Sequence, residues 1–277
     1  MRNASATHPA SSTGGRVRPP WLIPLVCALA LLVVGSGSFT ALRLLTPDRQ
    51  ASPAGTPMAS AVPAANLSAN QLYQYVIRQT PSLVDPLDGS RQFALWDMGP
   101  GCQFRQQALY LSASPAVPVV ICFLRNVFVR DFALQVQVIL GPISTLGEQQ
   151  GCALLFRTHL VQQEGFAFNL NAYSRIDPLT GSAVILQNAS LDVLAPGRQA
   201  ELRSWNPGLP GHLDTPHTLT VIARGSQLTL YIDAQPQLTI SDRTFQAGQI
   251  GLLSNSTFAS AQGTFAVAFR TMRLWMF

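Results

Sequence analysis

The sequence contains no lysine. All 18 of its basic residues are arginine, and charged side chains fill only 11% of its 277 positions. An all-arginine complement reflects composition rather than function. Arg2, Arg16, Arg18 and Arg43 lie in or beside the first apolar run, which leaves 14 arginines against 13 acids in the remainder. The formal charge of +5 therefore describes no basic surface, and a nucleic-acid partner is excluded from the reading. Glutamate is equally scarce: Glu148, Glu164 and Glu201 each stand apart from other acids along the chain, so no local paired-carboxylate motif exists. The four histidines, His8, His159, His212 and His217, show neither H-E-x-x-H nor H-x-H spacing, so no metal site is expected. His212, Asp214 and His217 read as polar residues of one loop. There is no G-x-S-x-G elbow, no P-loop and no dinucleotide fingerprint, hence no expected catalytic residue and no expected cofactor.

What the chain does have begins with an uncharged stretch. Trp21 to Leu42 holds 22 residues without a charge, and a helix needs roughly 20 apolar residues to cross a bilayer. Three arginines and the free amine precede it, while Arg43, Asp48 and Arg49 nearly cancel behind it. The positive-inside rule then gives a cytoplasmic tail over 1–20, a transmembrane helix over 21–42 and an extracellular remainder at the cell membrane. The alternative is a cleaved signal peptide ending in the small residues Gly35-Ser36-Gly37-Ser38. Cys27 lies inside the apolar run behind Val26, which suits a buried thiol better than a lipidation site. Residues 43–70 are rich in Pro, Ala and Ser without apolar period and read as a disordered spacer. A short helix is expected within 71–82, capped by Ser68, with Leu72, Tyr75 and Val76 on the face turned to the domain rim.

From residue 83 to 277 short apolar runs alternate with Gly, Pro, Asn and Asp, the pattern of an all-β antiparallel sandwich. His217 to Asp233 is the clearest unit. Leu219, Val221 and Ala223 alternate with polar neighbours, Gly225-Ser226 turns the chain, and Leu228, Leu230 and Ile232 alternate again, which specifies a hairpin. Phe132 to Ile139 repeats the period, with Gln135 and Gln137 on its wetter face. Further strands are expected at Cys152 to Arg157, Phe166 to Leu170, Ala183 to Gln187, Gln249 to Leu253 and Phe265 to Trp275. About a dozen strands suit one two-sheet jelly roll. Sequons at Asn66, Asn188 and Asn255 matter only in a glycosylating host.

The order Asp85-Pro86-Leu87, Trp96-Asp97, Cys102-Gln103-Phe104, Cys122-Phe123, Phe132 to Val136 and Leu155-Phe156-Arg157 carries a resemblance. So do Leu219 to Ser226, Tyr231-Ile232-Asp233, Gly248-Gln249-Ile250-Gly251-Leu252 and Phe269-Arg270. Over 83–276 the chain resembles concanavalin A-like lectin/glucanase jelly rolls, especially bacterial family-16-like or 3-keto-disaccharide hydrolase-like domains. The resemblance implies a lectin-like domain that binds carbohydrate or cell-wall material, and the apolar run and the missing paired-carboxylate motif make the expectation a membrane-anchored domain without catalysis. Two other readings stand beside it. One is a structural or sensory ectodomain contacting protein partners; the other is a glycoside hydrolase-like enzyme, although the E-x-D-x-E type of motif is absent.

Cys102 and Cys122 have 19 residues between them and flank a hairpin through Ala108 to Leu111, so a disulfide is expected outside the cytoplasm. Closing such a loop stabilises a fold by roughly 3 kcal/mol in the chain-entropy picture. Cys152, beside Ala153 and Leu154, reads as a buried free thiol. For ligand contact, Trp205 in the loop Ser204 to Gly208, and Tyr173 with Arg175 in a loop before Asp177-Pro178, offer the stacking rings and the hydroxyl-binding group that sugars use. Trp96, Tyr231 and Trp275 fall within strands and read as packing residues.

Overall fold

A computed structural model describes residues 67–90, 95–143, 146–196, 198–209, 215–257 and 265–277. The 1–20 tail, the 21–42 span, most of the spacer, Cys27, Asn66, His212 and Asp214 lie outside the described residues. Among the described residues no helix is long and apolar enough to cross a membrane.

The chain enters through α1 (Ala69–Ile77). Ser68 is its N-cap, and the Gln71 side chain returns the bond to the Ser68 backbone N–H, a reciprocal capping box. The strands follow as β1 (Leu83–Asp85), β2 (Trp96–Asp97), β3 (Cys102–Arg105), β4 (Ala108–Ala113), β5 (Val119–Val129), β6 (Phe132–Leu140), β7 (Gln149–His159) and β8 (Glu164–Ile176). Then come β9 (Ala183–Ala195), β10 (Arg198–Trp205), β11 (His217–Arg224), β12 (Gln227–Ile232), β13 (Gln235–Ser241), β14 (Gly248–Thr257) and β15 (Phe265–Met276).

These strands form two antiparallel sheets. An eight-stranded sheet runs β13-β12-β11-β6-β15-β4-β3, with β1 added alongside β15, and a seven-stranded sheet runs β10-β9-β8-β7-β14-β5-β2. Alternate residues of each strand meet in one shared core, which includes Phe132, Leu134, Val136, Leu154, Phe156, Phe166, Phe168, Leu252 and Phe269. Trp96 is wholly buried there, and its indole N–H donates to Asp85 Oδ2 at 2.8 Å. The hairpin of β11 and β12 pairs from Leu219↔Ile232 to Arg224↔Gln227, and Gly225 turns it at φ 54°, a conformation glycine adopts without strain.

Two joins between the sheets stand out, one covalent and one charge-assisted. Cys102 of β3 and Cys122 of β5 form the expected disulfide, with Cα atoms 6.3 Å apart. Because β3 and β5 belong to different sheets, the bridge does more than staple a hairpin: it crosses the core. Arg157 supplies the second join. It is 0% exposed, and its guanidinium donates to the carbonyls of Arg130 (2.7 Å), Gly225 (2.8 Å) and Phe245 (3.1 Å), so β7 is tied to the turns of the opposite sheet. Burial lowers its pKa, partly offset by Asp131, 3.7 Å away. Cys152 is a free, buried thiol whose pKa burial pushes up to about 12, so it is unreactive.

The helix departs from expectation in two ways. It buries Tyr73 and Val76, while Tyr75 points to solvent. It also packs on a sheet face instead of the rim, against the outward residues Ala133, Ile222, Tyr231 and Trp275 of the eight-stranded sheet. Tyr231 Oη donates to the Ala69 carbonyl at 2.8 Å, and Trp275 Nε1 to that of Gln79 at 2.9 Å. Gln135, expected on a wet face, is buried beneath the helix and donates to Tyr73 Oη at 3.0 Å.

Candidate functional site

On the seven-stranded sheet the outward side chains follow from register. The pairing Gly251↔Leu155, Leu155↔Ala167 and Ala167↔Asp192 lines up one row across β14, β7, β8 and β9. Leu253↔Ala153, Ala153↔Asn169 and Asn169↔Ser190 make the next. Asn255↔Gly151, Gly151↔Asn171 and Asn171↔Asn188 make a third. One side of this face is apolar: Ala153, Leu155 and Ala167 are buried among Ile121, Phe123, Leu194 and Leu253. The other side is a run of carboxamides and hydroxyls.

A groove of about 640 Å³ lies over the apolar side. Its floor is Ile121, Phe123, Leu155, Leu194 and Leu253, and Thr158 at the end of β7 with Leu160 and Gln163 of the turn to β8 forms a wall. Gln199 of β10 stands at the far end. Every lining residue is uncharged. Beneath that end, Asn169 Nδ2 donates to Ser190 Oγ (3.2 Å) and to Asp192 Oδ2 (2.9 Å), and Gln199 Nε2 donates to the same carboxylate oxygen. Burial raises the Asp192 pKa, with the hydrogen bonds from Gln199, Ser190 and Asn169 working against it.

The site residues read from sequence separate on this frame. Tyr173 and Arg175 are strand residues of β8, not loop residues, because Tyr173 pairs with Gln149 and Leu186 and Arg175 with Val184. Both share the outward face with Asn171, and Tyr173 stands beside the carboxamide row. Trp205 is elsewhere. It ends β10, pairs with the inward Ala189, stacks on Phe168 at 6.2 Å between ring centroids and donates its indole N–H to Gln237 at 3.1 Å. Since Gln237 belongs to β13 of the opposite sheet, Trp205 closes the sandwich edge rather than standing free in a loop. The register shift between Glu201 and Arg203 turns it inward.

Acids isolated in sequence meet in space. Glu201 of β10 lies directly opposite Asp192 of β9 on the outward face. The central strands beneath the groove carry Leu155, Ala153, Ala167 and Leu253 at their outward positions. His217 opens β11 and its Nδ1 lies 2.7 Å from Asp233 Oδ2, a hydrogen bond its loop assignment did not anticipate. Asn188 and Asn255 are strand residues of the groove face. Among the described residues no cluster of three or more His, Cys, Asp or Glu could hold a metal ion.

Comparison with known proteins adds the fold. No family model and no curated protein matches the chain. Among solved structures, the exoplasmic/lumenal domain of VIP36 in a Ca²⁺/Man3GlcNAc-bound form superposes with a TM-score of 0.51 at 18% identity, over 69% of this chain and 87% of that one. The catalytic domain of an endo-1,3-β-glucanase (laminarinase) from Thermotoga petrophila RKU-1 gives 0.50 at 8% identity over 70% and 96%. The laminarinase catalytic domain from Thermotoga maritima MSB8 gives 0.50 at 8% over 72% and 98%. The described domain thus shares the two-sheet jelly-roll sandwich fold of these proteins, the fold the resemblance implied.

Proposed function

We propose that the chain is a carbohydrate-binding domain that holds a glycan on the outward face of its seven-stranded sheet. One observation carries this reading: an uncharged groove with an apolar floor runs directly beside a row of carboxamides. Sugar rings present C–H faces and hydroxyl edges together, and such a surface offers a partner to each. The aromatic Phe123 on the floor and Tyr173 beside the row supply stacking surfaces, and Arg175 extends the polar edge. The likeness to a Man3GlcNAc-bound domain and to two laminarinase catalytic domains supports the same reading at the level of fold.

Display completes the proposal. Residues 21–42 anchor the chain in the cell membrane with the N-terminus in the cytoplasm, and the domain stands outside on the 43–70 spacer. The Arg bias around the span and a disulfide, which persists in oxidising compartments, support this placement.

The test uses the full-length chain in detergent micelles, run through native gels containing laminarin, mannan or no polysaccharide. Retardation by at least one of the two, abolished by Leu253→Asp at unchanged circular dichroism, is the expected result. Equal mobility in all gels contradicts the proposal. A second reading, a protein partner, draws on Phe128 (61% exposed), against His159, with Val161 (91% exposed) in the adjoining turn. Capture of a partner that survives Leu253→Asp and fails with Phe128→Ser would favour it.

A further inference from the structure

Gly151 sits at the centre of the carboxamide row, with Asn255 on one neighbouring strand and Asn171 on the other. A side-chain carbon on Gly151 would overlap the Oδ1 atoms of both asparagines, so the two carboxamides lie folded down over the glycine from opposite sides. Both Oδ1 atoms are buried and accept no hydrogen bond. Their orientation is set by the bare backbone beneath them: a glycine Cα–H is a weak donor, which favours an oxygen over an NH₂ group against it. Each side chain is only half-buried, so its NH₂ group is the polar part that meets solvent. Buried carboxamides ordinarily satisfy themselves within the protein. Here two stand side by side with unused donors, one strand apart on either side of Gly151.

We infer that Asn171 and Asn255, seated on Gly151, form a two-armed clamp that donates hydrogen bonds to the oxygen atoms of an uncharged glycan. The inference rests on the carbohydrate reading above and assigns its specificity. Two amide donors recognise hydroxyl and ring oxygens without supplying charge. The adjoining groove adds none, since all of its lining residues are neutral, and the ionisable pair at its far edge, Asp192 and Glu201, is acidic. A polyanion meets repulsion at that edge and finds no cation in the groove lining, Arg175 lying beyond Tyr173 on β8, whereas a neutral chain loses nothing. Tyr173, two residues along β8 from Asn171 and so roughly 7 Å away on the same face, provides a ring beside the clamp. Gly151 is the specificity-determining position, because its missing side chain is what lets both amides lie down.

The test measures binding of the full-length chain in micelles to laminarin and mannan as neutral probes and to polygalacturonate as the acidic one. Asn171→Ala/Asn255→Ala should weaken neutral-glycan binding about tenfold or more, the loss of two neutral hydrogen bonds, and Gly151→Ala should do at least as much by displacing both amides. The double alanine variant removes side chains with no hydrogen bonds of their own, so its melting temperature should stay near wild type, which separates lost binding from lost fold. Binding should change less than twofold between about 50 mM and 500 mM salt, as neutral contacts require, and polygalacturonate should not compete. If wild type binds a neutral glycan and the double variant binds it equally, the clamp is wrong while the groove reading stands. If polygalacturonate binds better, or binding collapses with salt, the uncharged-ligand assignment is overturned. If no neutral polysaccharide binds the wild type, both fall together.

Discussion

The two sheets of this sandwich treat their outer faces in opposite ways. Each carries apolar side chains that point away from the shared core: Ala133, Ile222, Tyr231 and Trp275 on the eight-stranded sheet, and Ile121, Phe123, Leu155 and Leu253 on the seven-stranded one. On the first face the chain supplies its own cover, since Tyr73 and Val76 of α1 lie over those residues. Hydrogen bonds from Tyr231, Trp275 and Gln135 fasten that cover. On the second face no described helix lies over the apolar row, which stays open as a groove. An apolar surface that no described helix covers is the better place to look for a ligand.

The contrast can be broken from its sealed side first. Tyr73→Ala removes the ring that packs at a tilt against Tyr231 and the hydroxyl that receives Gln135, and is expected to destabilise the domain by about 3 kcal/mol in urea unfolding. Reducing the Cys102–Cys122 bridge should cost roughly as much, about 3 kcal/mol for a closed loop of this length, read as a lower urea midpoint in dithiothreitol. Tyr231→Phe keeps the packing and loses one bond to the helix, so a drop of about 1 kcal/mol is expected.

Asp233 sharpens the comparison through pH. Burial works to raise its pKa, but the hydrogen bonds from His217 and the Thr218 N–H outweigh it and hold the carboxyl below its ordinary range. A depressed carboxyl contributes stability above its unfolded-state pKa of about 3.9, and that contribution is lost as pH falls through the folded value. The side chain is 41% exposed, so the effect should stay below about 1 kcal/mol. Asp233→Asn should lower the urea midpoint at pH 6, and its deficit against wild type should shrink as pH falls through the folded-state pKa of Asp233. The smallest stability effect belongs to the open face. Leu253→Ser, half-exposed on the groove floor, should cost about 0.5 kcal/mol or less and still abolish glycan retention.

Much of the sandwich was legible in the sequence because strands with one buried face alternate strictly. The β11–β12 hairpin, the Cys102–Cys122 pairing and the inward Trp96 all follow from local pattern. Tyr173 and Arg175 were placed in a loop because Asp177-Pro178 is a strong turn signal, yet pairing with Val184 and Leu186 extends β8 to the turn itself. Trp205 reads as a loop residue because Asn206-Pro207-Gly208 follows it, yet it ends β10, where the register shift between Glu201 and Arg203 exchanges the faces beyond it and turns the ring inward. Gln135 alternates correctly but lies under a helix 60 residues away in sequence, which period alone cannot reveal. The groove was not legible at all. Phe123, Leu155, Leu194 and Leu253 come from four strands, and only register brings them together. The same holds for Asn171 and Asn255, whose convergence depends on a glycine in the strand between them.

The most direct test of the open-face account is hydroxyl-radical footprinting of the full-length chain with and without laminarin or mannan, whichever retards it in gels. Phe123, Leu253 and Tyr173 should be protected from oxidation, while the exposed Tyr75 and Met276 of the helix-covered side should oxidise as before. Protection confined to Tyr75 and Met276, or none on the seven-stranded sheet, would contradict the account.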